Sequence, residues 1–164
     1  MAFGERLTVY RICRAKYPKN DGEGAKINGG RWNRIGTAIL YCGSTLSLCA
    51  LEILANSDDL PNNMVSIEIN IPGTIVIPAY SALDLPVGWD AAMPSRASKD
   101  FGTKWAKSKK SAAISVPSAV VPKERNYLIN PLHPDFIKIR FRTPEPFVFD
   151  PLIEVMIFER ISFL

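Results

Sequence analysis

Arg31, Tyr41 and Glu52 follow one another closely along the chain, and Ser118 and Asn130 come later, each next to a proline. Arg31 brings a planar fork of five N–H donors, suited to bidentate capture of a phosphate or carboxylate, and Trp32 beside it brings a stacking surface. Both follow "INGG", where Asn28-Gly29 predicts a turn and Gly30 permits close approach of a backbone or ligand. Glu52 stands in "SLCALEILA", with Leu48 and Leu51 around it. A carboxylate on so apolar a segment needs a partner, whether it is paired for structure or kept for chemistry. Ser118 after Pro117 and Asn130 before Pro131 sit where the chain is stiffened, which also suits ordinary turns.

The glycine-rich stretch "GAKINGGRWNRIG" fails as a nucleotide loop. Gly24 and Gly29 have the Walker separation, but Gly30-Arg31 follows where Lys-Ser/Thr is required, and Ile27 stands where a dinucleotide fingerprint needs glycine. A turn that delivers Arg31 survives, as does a plain hairpin with a surface arginine and a core tryptophan. His133, the only histidine, lies between Leu132 and Pro134 without a triad-like neighbour and reads as structural.

Period-two patterning predicts strands over Arg6–Ile12, Thr37–Cys42, Met64–Ile71, Ala112–Val116 and Phe136–Phe141. In the third of these, Val65, Ile67, Ile69 and Ile71 face one side, and Ser66, Glu68 and Asn70 the other. Ser44 or Thr45 caps a helix reaching Ala55, with Leu46, Ala50, Ile53 and Leu54 on one face. A second capped helix spans Ser95–Ser108, with Phe101 and Trp105 on one face and Gly102 open to close packing. Residues 81–94 read as loop, and "PSAVVPKERNYLINPLHPD" holds too much proline for one regular element. The sum is one α+β domain, a mixed α/β architecture with a central twisted sheet.

Composition narrows the functional classes. With 164 residues, 47% hydrophobic and 22% charged, the chain suits a single soluble domain. No apolar run is long enough to span a bilayer, and charges interrupt the first residues, so neither export nor a membrane role is expected. Cys13, Cys42 and Cys49 lack a C-x-x-C spacing and read as free thiols in a reducing cytoplasm, with no metal site. The net charge of +4 permits an acidic partner. Lys104, Lys107, Lys109 and Lys110 read as a solvated helix end rather than a nucleic-acid surface.

Taken together, "YRICRAKYP", "GEGAKINGGRWNRIGTAILYC", "STLSLCALEIL", "VPSAVVPKERNYLINPLHPDF" and "PFVFDP" resemble the RES-domain family, toxins of bacterial toxin-antitoxin pairs. The resemblance implies a fold similar to the diphtheria-toxin type of ADP-ribosyltransferase. It also implies degradation of NAD at the nicotinamide-ribose bond, by hydrolysis or phosphorolysis, without a metal. The alternative is mono-ADP-ribosylation of a protein target. By motif, the family's naming residues fall on Arg31, Glu52 and Ser118, and its site also includes a tyrosine at Tyr41 and an arginine at Arg11. On this reading Arg11 and Arg31 clamp the pyrophosphate, Tyr41 and Trp32 wall the ribose or nicotinamide, and Asn130 is a further candidate. Ser118 orients a ring or the acceptor, inorganic phosphate being one such acceptor.

The implied partner is an Xre-type helix-turn-helix antitoxin that blocks the site, and the family also admits a homodimer. The resemblance sets a RES domain at 1–151 and a tail at 152–164. Where such domains commonly end on Asp-Pro-Arg, Leu152 follows Asp150-Pro151 here. The continuation "IEVMIFERISFL" reads as an extra strand, an altered end or an added segment.

Overall fold

The alternating Ile67, Ile69 and Ile71 are all fully buried, and the strand that carries them organises the molecule. In the computed structural model, which describes residues 4–157, this strand, β3 (Met64–Ile71), pairs along its whole length with β1 (Leu7–Arg14), antiparallel from Leu7 opposite Ile71 to Arg14 opposite Met64. The other strands are β2 (Leu40–Gly43), β4 (Ala113–Pro117), β5 (Arg125–Ile129), β6 (Arg140–Phe141) and β7 (Glu145–Phe147). They form one antiparallel sheet in the order β4-β5-β2-β1-β3-β6, with β7 also on β3. The expected mixed α/β domain is therefore present, built on a single sheet.

Helix α2 (Leu46–Ala55) starts at Thr45, whose hydroxyl accepts the Leu48 N–H at 3.0 Å. It packs Cys49, Leu46, Ala50, Ile53 and Leu54 against Ile12 and Met64. Helix α3 (Arg96–Ser108) is capped by Ser95 and carries Phe101 and Trp105 into an aromatic cluster with Trp32 and Trp89. Gly102 meets the backbone of Trp32 so closely that a Cβ there would lie 1.9 Å from the Trp32 carbonyl oxygen. The close packing read from this glycine is what fixes α3 against the arginine-bearing loop. Arg34 adds an ion pair to Asp100 and a backbone N–H bond to the Thr103 hydroxyl.

Three local expectations change. "GAKIN" is not a hairpin arm but part of a short helix, α1 (Glu23–Asn28), and Gly29, at φ 71°, closes it by donating its N–H to Ala25. The tight turn lies one step later, with Gly30 donating to the Asn33 carbonyl at 3.1 Å and Arg31-Trp32 at its tip. Phe136–Phe141 is not a single strand. His133 caps a 3-10 turn over Pro134–Lys138 by accepting the Asp135 N–H on Nδ1, so only Arg140 and Phe141 remain as paired strand. The Pro-rich segment is, as expected, not one regular element, although β5 lies within it, and the tail continues as helix α4 (Pro151–Ile157) rather than as a strand. The tail beyond Ile157 lies outside the described residues.

Candidate active site

Between α1, the Gly29–Trp32 turn, α2 and the start of β5 lies an open cleft of about 580 Å³, bordered by Arg14, Arg31, Tyr41, Glu52 and Asn126. A smaller chamber of about 120 Å³ adjoins it, lined by Ile12, Cys42 and Cys49 and sharing Tyr41, Glu52, Ile53 and Asn126 with it. Glu52 therefore stands where the two spaces meet. The helical register that buries Cys49 and half-buries Ile53 turns Glu52 toward them.

The carboxylate is held from one side. Oε1 of Glu52 accepts from the Ser118 hydroxyl at 2.7 Å and from the Asn126 amide at 2.6 Å. Ser118 is fully buried, directly after β4, and its oxygen accepts the N–H groups of Val120 and Val121 at 3.0 and 2.9 Å. Its proton thus has one direction to go. Asn126 enters from β5, where it pairs with Val116, so one hairpin supplies both donors. Oε2 makes no protein hydrogen bond among the described residues.

Arg31 projects from the turn and donates through Nη1 to the carbonyls of Trp89 and Ala91, at 2.9 and 2.8 Å. The head is held by one nitrogen, and Nε and Nη2 make no protein hydrogen bond among the described residues. Tyr41 works beneath the same turn. Its hydroxyl donates to Asn33 Oδ1 at 2.6 Å and accepts the Trp32 N–H at 2.9 Å. Burial pushes the phenol well above its ordinary range, which keeps it a neutral donor. A Cβ on Gly30 would fall 2.6 Å from that hydroxyl, which explains the glycine. Asn33, fully buried, also donates to the carbonyls of Ala25, Arg34 and Thr37.

Arg31, Tyr41, Glu52 and Ser118 are therefore brought together. The remaining candidates are not. The Arg11 head donates to the Lys19 carbonyl and the Asn20 side chain, outside the cleft border, and Arg14 from the same strand borders the cleft instead. Asn130, 1% exposed, donates to the Ala106 carbonyl and accepts from the Leu132 N–H, so it ties α3 to the end of β5. Trp32 adjoins the cleft, but the residue is 2% exposed and its ring stacks on Trp89 at 6.0 Å, which closes its face to a ligand. Asn126 and Asn33 escaped sequence reasoning. The first lay in a segment whose prolines concealed the strand, and the second sat within "GGRWN" with nothing to separate a loop-holding amide from a ligand-binding one.

Residues 8–150 match the sequence model of the RES domain. The chain belongs to the RES-domain family. A protein named Prs ADP-ribosylating toxin from Sphingobium sp. (strain YBL2) is 46% identical over 79% of this chain and 83% of that one. Proteins named Toxin Res from Photorhabdus laumondii and Yersinia enterocolitica are 36% and 33% identical. Those alignments cover 80% and 90% of this chain, and 86% and 100% of the relatives. The fold is similar to that of a chain of the M. tuberculosis MbcT-MbcA toxin-antitoxin complex, with a TM-score of 0.68 at 14% identity over 96% of this chain and 91% of that chain.

Proposed function

We propose that the protein is the toxin of a toxin-antitoxin pair and that it cleaves NAD at the nicotinamide-ribose bond, by hydrolysis or phosphorolysis. The observation that carries this reading is the Glu52 carboxylate, held on Oε1 by Ser118 and Asn126 at the floor of a cleft that Arg31 borders. A cleft of about 580 Å³ lies in the size range of small-molecule sites. Cleavage of the glycosidic bond builds positive charge on the ribose, and a fixed carboxylate beside it stabilises that charge without reorganising. Arg31 holds pyrophosphate through the part of its fork that Trp89 and Ala91 leave free, and so positions the bond to be broken. Arg14 is placed to add a second cation. Tyr41 keeps the Arg31 turn in shape.

A second reading, transfer of ADP-ribose to a protein, is favoured by the name of the 46% identical relative. Both readings begin with release of nicotinamide, and they part at the acceptor. NAD labelled in its adenosine half separates them: label in free ADP-ribose or its phosphate supports NAD depletion, and label retained on protein supports transfer. An antitoxin partner follows from the toxin names and from the complex that shares the fold. Its Xre type, its blocking of the cleft, a homodimeric toxin and a RES-domain boundary at residue 151 rest on the family resemblance. Action in the cytoplasm, where NAD is available, fits the unpaired thiols of Cys13, Cys42 and Cys49. No helix among the described residues is long and apolar enough to cross a membrane.

A further inference from the structure

Arg14 and Met64, which border the cleft, pair with each other at one end of the β1-β3 ladder. At the other end, seven residue steps or roughly 23 Å away, the molecule has a second concavity of about 500 Å³. Arg6, Lys138, Arg140 and Arg142 line it, with Asn70, Pro72 and Phe141 at its base. These cations come from three places in the sequence: the residue before β1, the 3-10 turn, and the two ends of β6. Charged side chains on a short edge strand protect it from pairing with other chains. That purpose accounts for Arg140 and Arg142, but it does not ask Arg6 and Lys138 to converge on the same hollow.

The base of the hollow is rigid. Asn70 is 8% exposed and donates to Glu68, Ile139 is buried, and Phe141 packs on Phe136 at 5.5 Å. Arg140 is oriented by an Nη1 bond to the Ile137 carbonyl at 2.9 Å. Two carboxylates lie close by: Asp135 pairs with Lys138 at 2.6 Å, and Glu68 stands 3.8 Å from Arg142. Arg6 and Arg140 have no carboxylate partner among the described residues. Three guanidinium forks and one ammonium around a single hollow suit a ligand with several contiguous negative charges and planar bidentate acceptors.

We propose that this basic hollow is a second ligand site, separate from the cleft, and that it takes an oligophosphate group such as the chain of a nucleoside polyphosphate. Two or three linked phosphates offer the four cations more contiguous charge and more acceptor oxygens than a single phosphate does. The spacing of carboxylates along an acidic peptide matches the cluster less well, since each is carried on its own flexible stem.

The test is calorimetric titration of the full chain with inorganic phosphate, pyrophosphate and tripolyphosphate, none of which requires any catalytic activity. Affinity should rise at least tenfold from phosphate to tripolyphosphate and weaken with salt. The paired substitution Arg6→Gln with Arg140→Gln should lower tripolyphosphate affinity at least tenfold. Removing equal charge elsewhere, by Lys107→Gln in the last turn of α3 with Lys110→Gln just beyond it, should change it less than threefold. Arg6→Gln alone removes no described hydrogen bond, so it reports on the site even if the pair fails to fold, and a loss of about threefold or more is expected. Arg31→Gln should leave this binding in place, which separates it from phosphate held in the cleft.

Equal losses from both paired substitutions would mean that net charge alone attracts the anion, and would overturn the assignment. So would the absence of binding, loss of binding in Arg31→Gln, or tighter binding of a single-stranded oligonucleotide or an acidic peptide than of tripolyphosphate. Failure of NAD cleavage leaves these outcomes untouched.

Discussion

The Ser118 hydroxyl points at Oε1 of Glu52 from 2.7 Å, while its own oxygen accepts the N–H groups of Val120 and Val121. Such a hydroxyl is a fixed donor, which makes Ser118 a positioning residue for the carboxylate rather than a nucleophile. Ser118→Ala leaves two N–H groups without their acceptor and frees one side of Glu52. It should cost about 1–3 kcal/mol of stability and lower kcat for nicotinamide release roughly tenfold to a hundredfold with little change in KM. Steady-state kinetics beside a denaturant melt separate the two effects. A KM increase with kcat unchanged would assign Ser118 to substrate binding instead.

Asn126 shares the same oxygen at 2.6 Å. Asn126→Asp would replace that donor with a second carboxylate facing the first, so it removes a hydrogen bond and adds like-charge repulsion at the same oxygen. Nicotinamide release should fall roughly tenfold or more, whereas in Asn126→Ser, which keeps a donor, it should fall less. Equal rates in Asn126→Asp and wild type would show that this contact does not serve the reaction.

How much of this was legible in the sequence depends on whether the signal was local. The isoleucine alternation in β3 and the Ser95 and Thr45 caps are written in adjacent residues, and the structure follows them closely. Motif resemblance singled out Arg31, Tyr41, Glu52 and Ser118. The contacts that bring them together were not legible, because Ser118 and Asn126 reach Glu52 across 66 and 74 positions of chain. Arg11 and Asn130 show the converse limit: the family resemblance suggested a ligand, but the Arg11 head is held by Lys19 and Asn20 and the Asn130 amide by the Ala106 carbonyl. Phe136–Phe141 alternated like a strand until His133 and Pro134 imposed a tighter helical turn.

Gly102 should reverse the usual rule for helices. In a helix interior Gly→Ala ordinarily stabilises by about 1 kcal/mol, but here the added Cβ would fall 1.9 Å from the Trp32 carbonyl oxygen. Overpacking of that severity should outweigh the propensity gain and destabilise Gly102→Ala by about 2–3 kcal/mol. A drop in Tm of roughly 5–10 °C is the corresponding readout, with Gly24→Ala, where a Cβ meets nothing, as the control. A rise in Tm would show that α3 and the Trp32 turn are not in this contact.

Burial pushes the Cys49 thiol up to about 12 and raises that of Cys42 as well. For a thiol whose native pKa lies above its unfolded one, the stabilisation is complete below the unfolded value. It is lost as pH rises toward the native value. Between pH 9 and 11 the protein should lose about 2 kcal/mol through Cys49 alone. Cys49→Ala should flatten that slope in urea midpoints measured from pH 8 to 11. Native protein at pH 8 should also resist alkylation at Cys42 and Cys49, and rapid labelling of both would contradict their burial.

The central claim is that Glu52, fixed in the cleft, drives cleavage of NAD, and release of nicotinamide from NAD by purified protein tests it most directly. Wild type, assayed with and without inorganic phosphate, should release nicotinamide in at least one condition. Glu52→Gln, which keeps an acceptor for Ser118 and Asn126, should fold normally and release it about a thousandfold more slowly. No release by the folded wild type in either condition, or an undiminished rate in Glu52→Gln, would contradict the account.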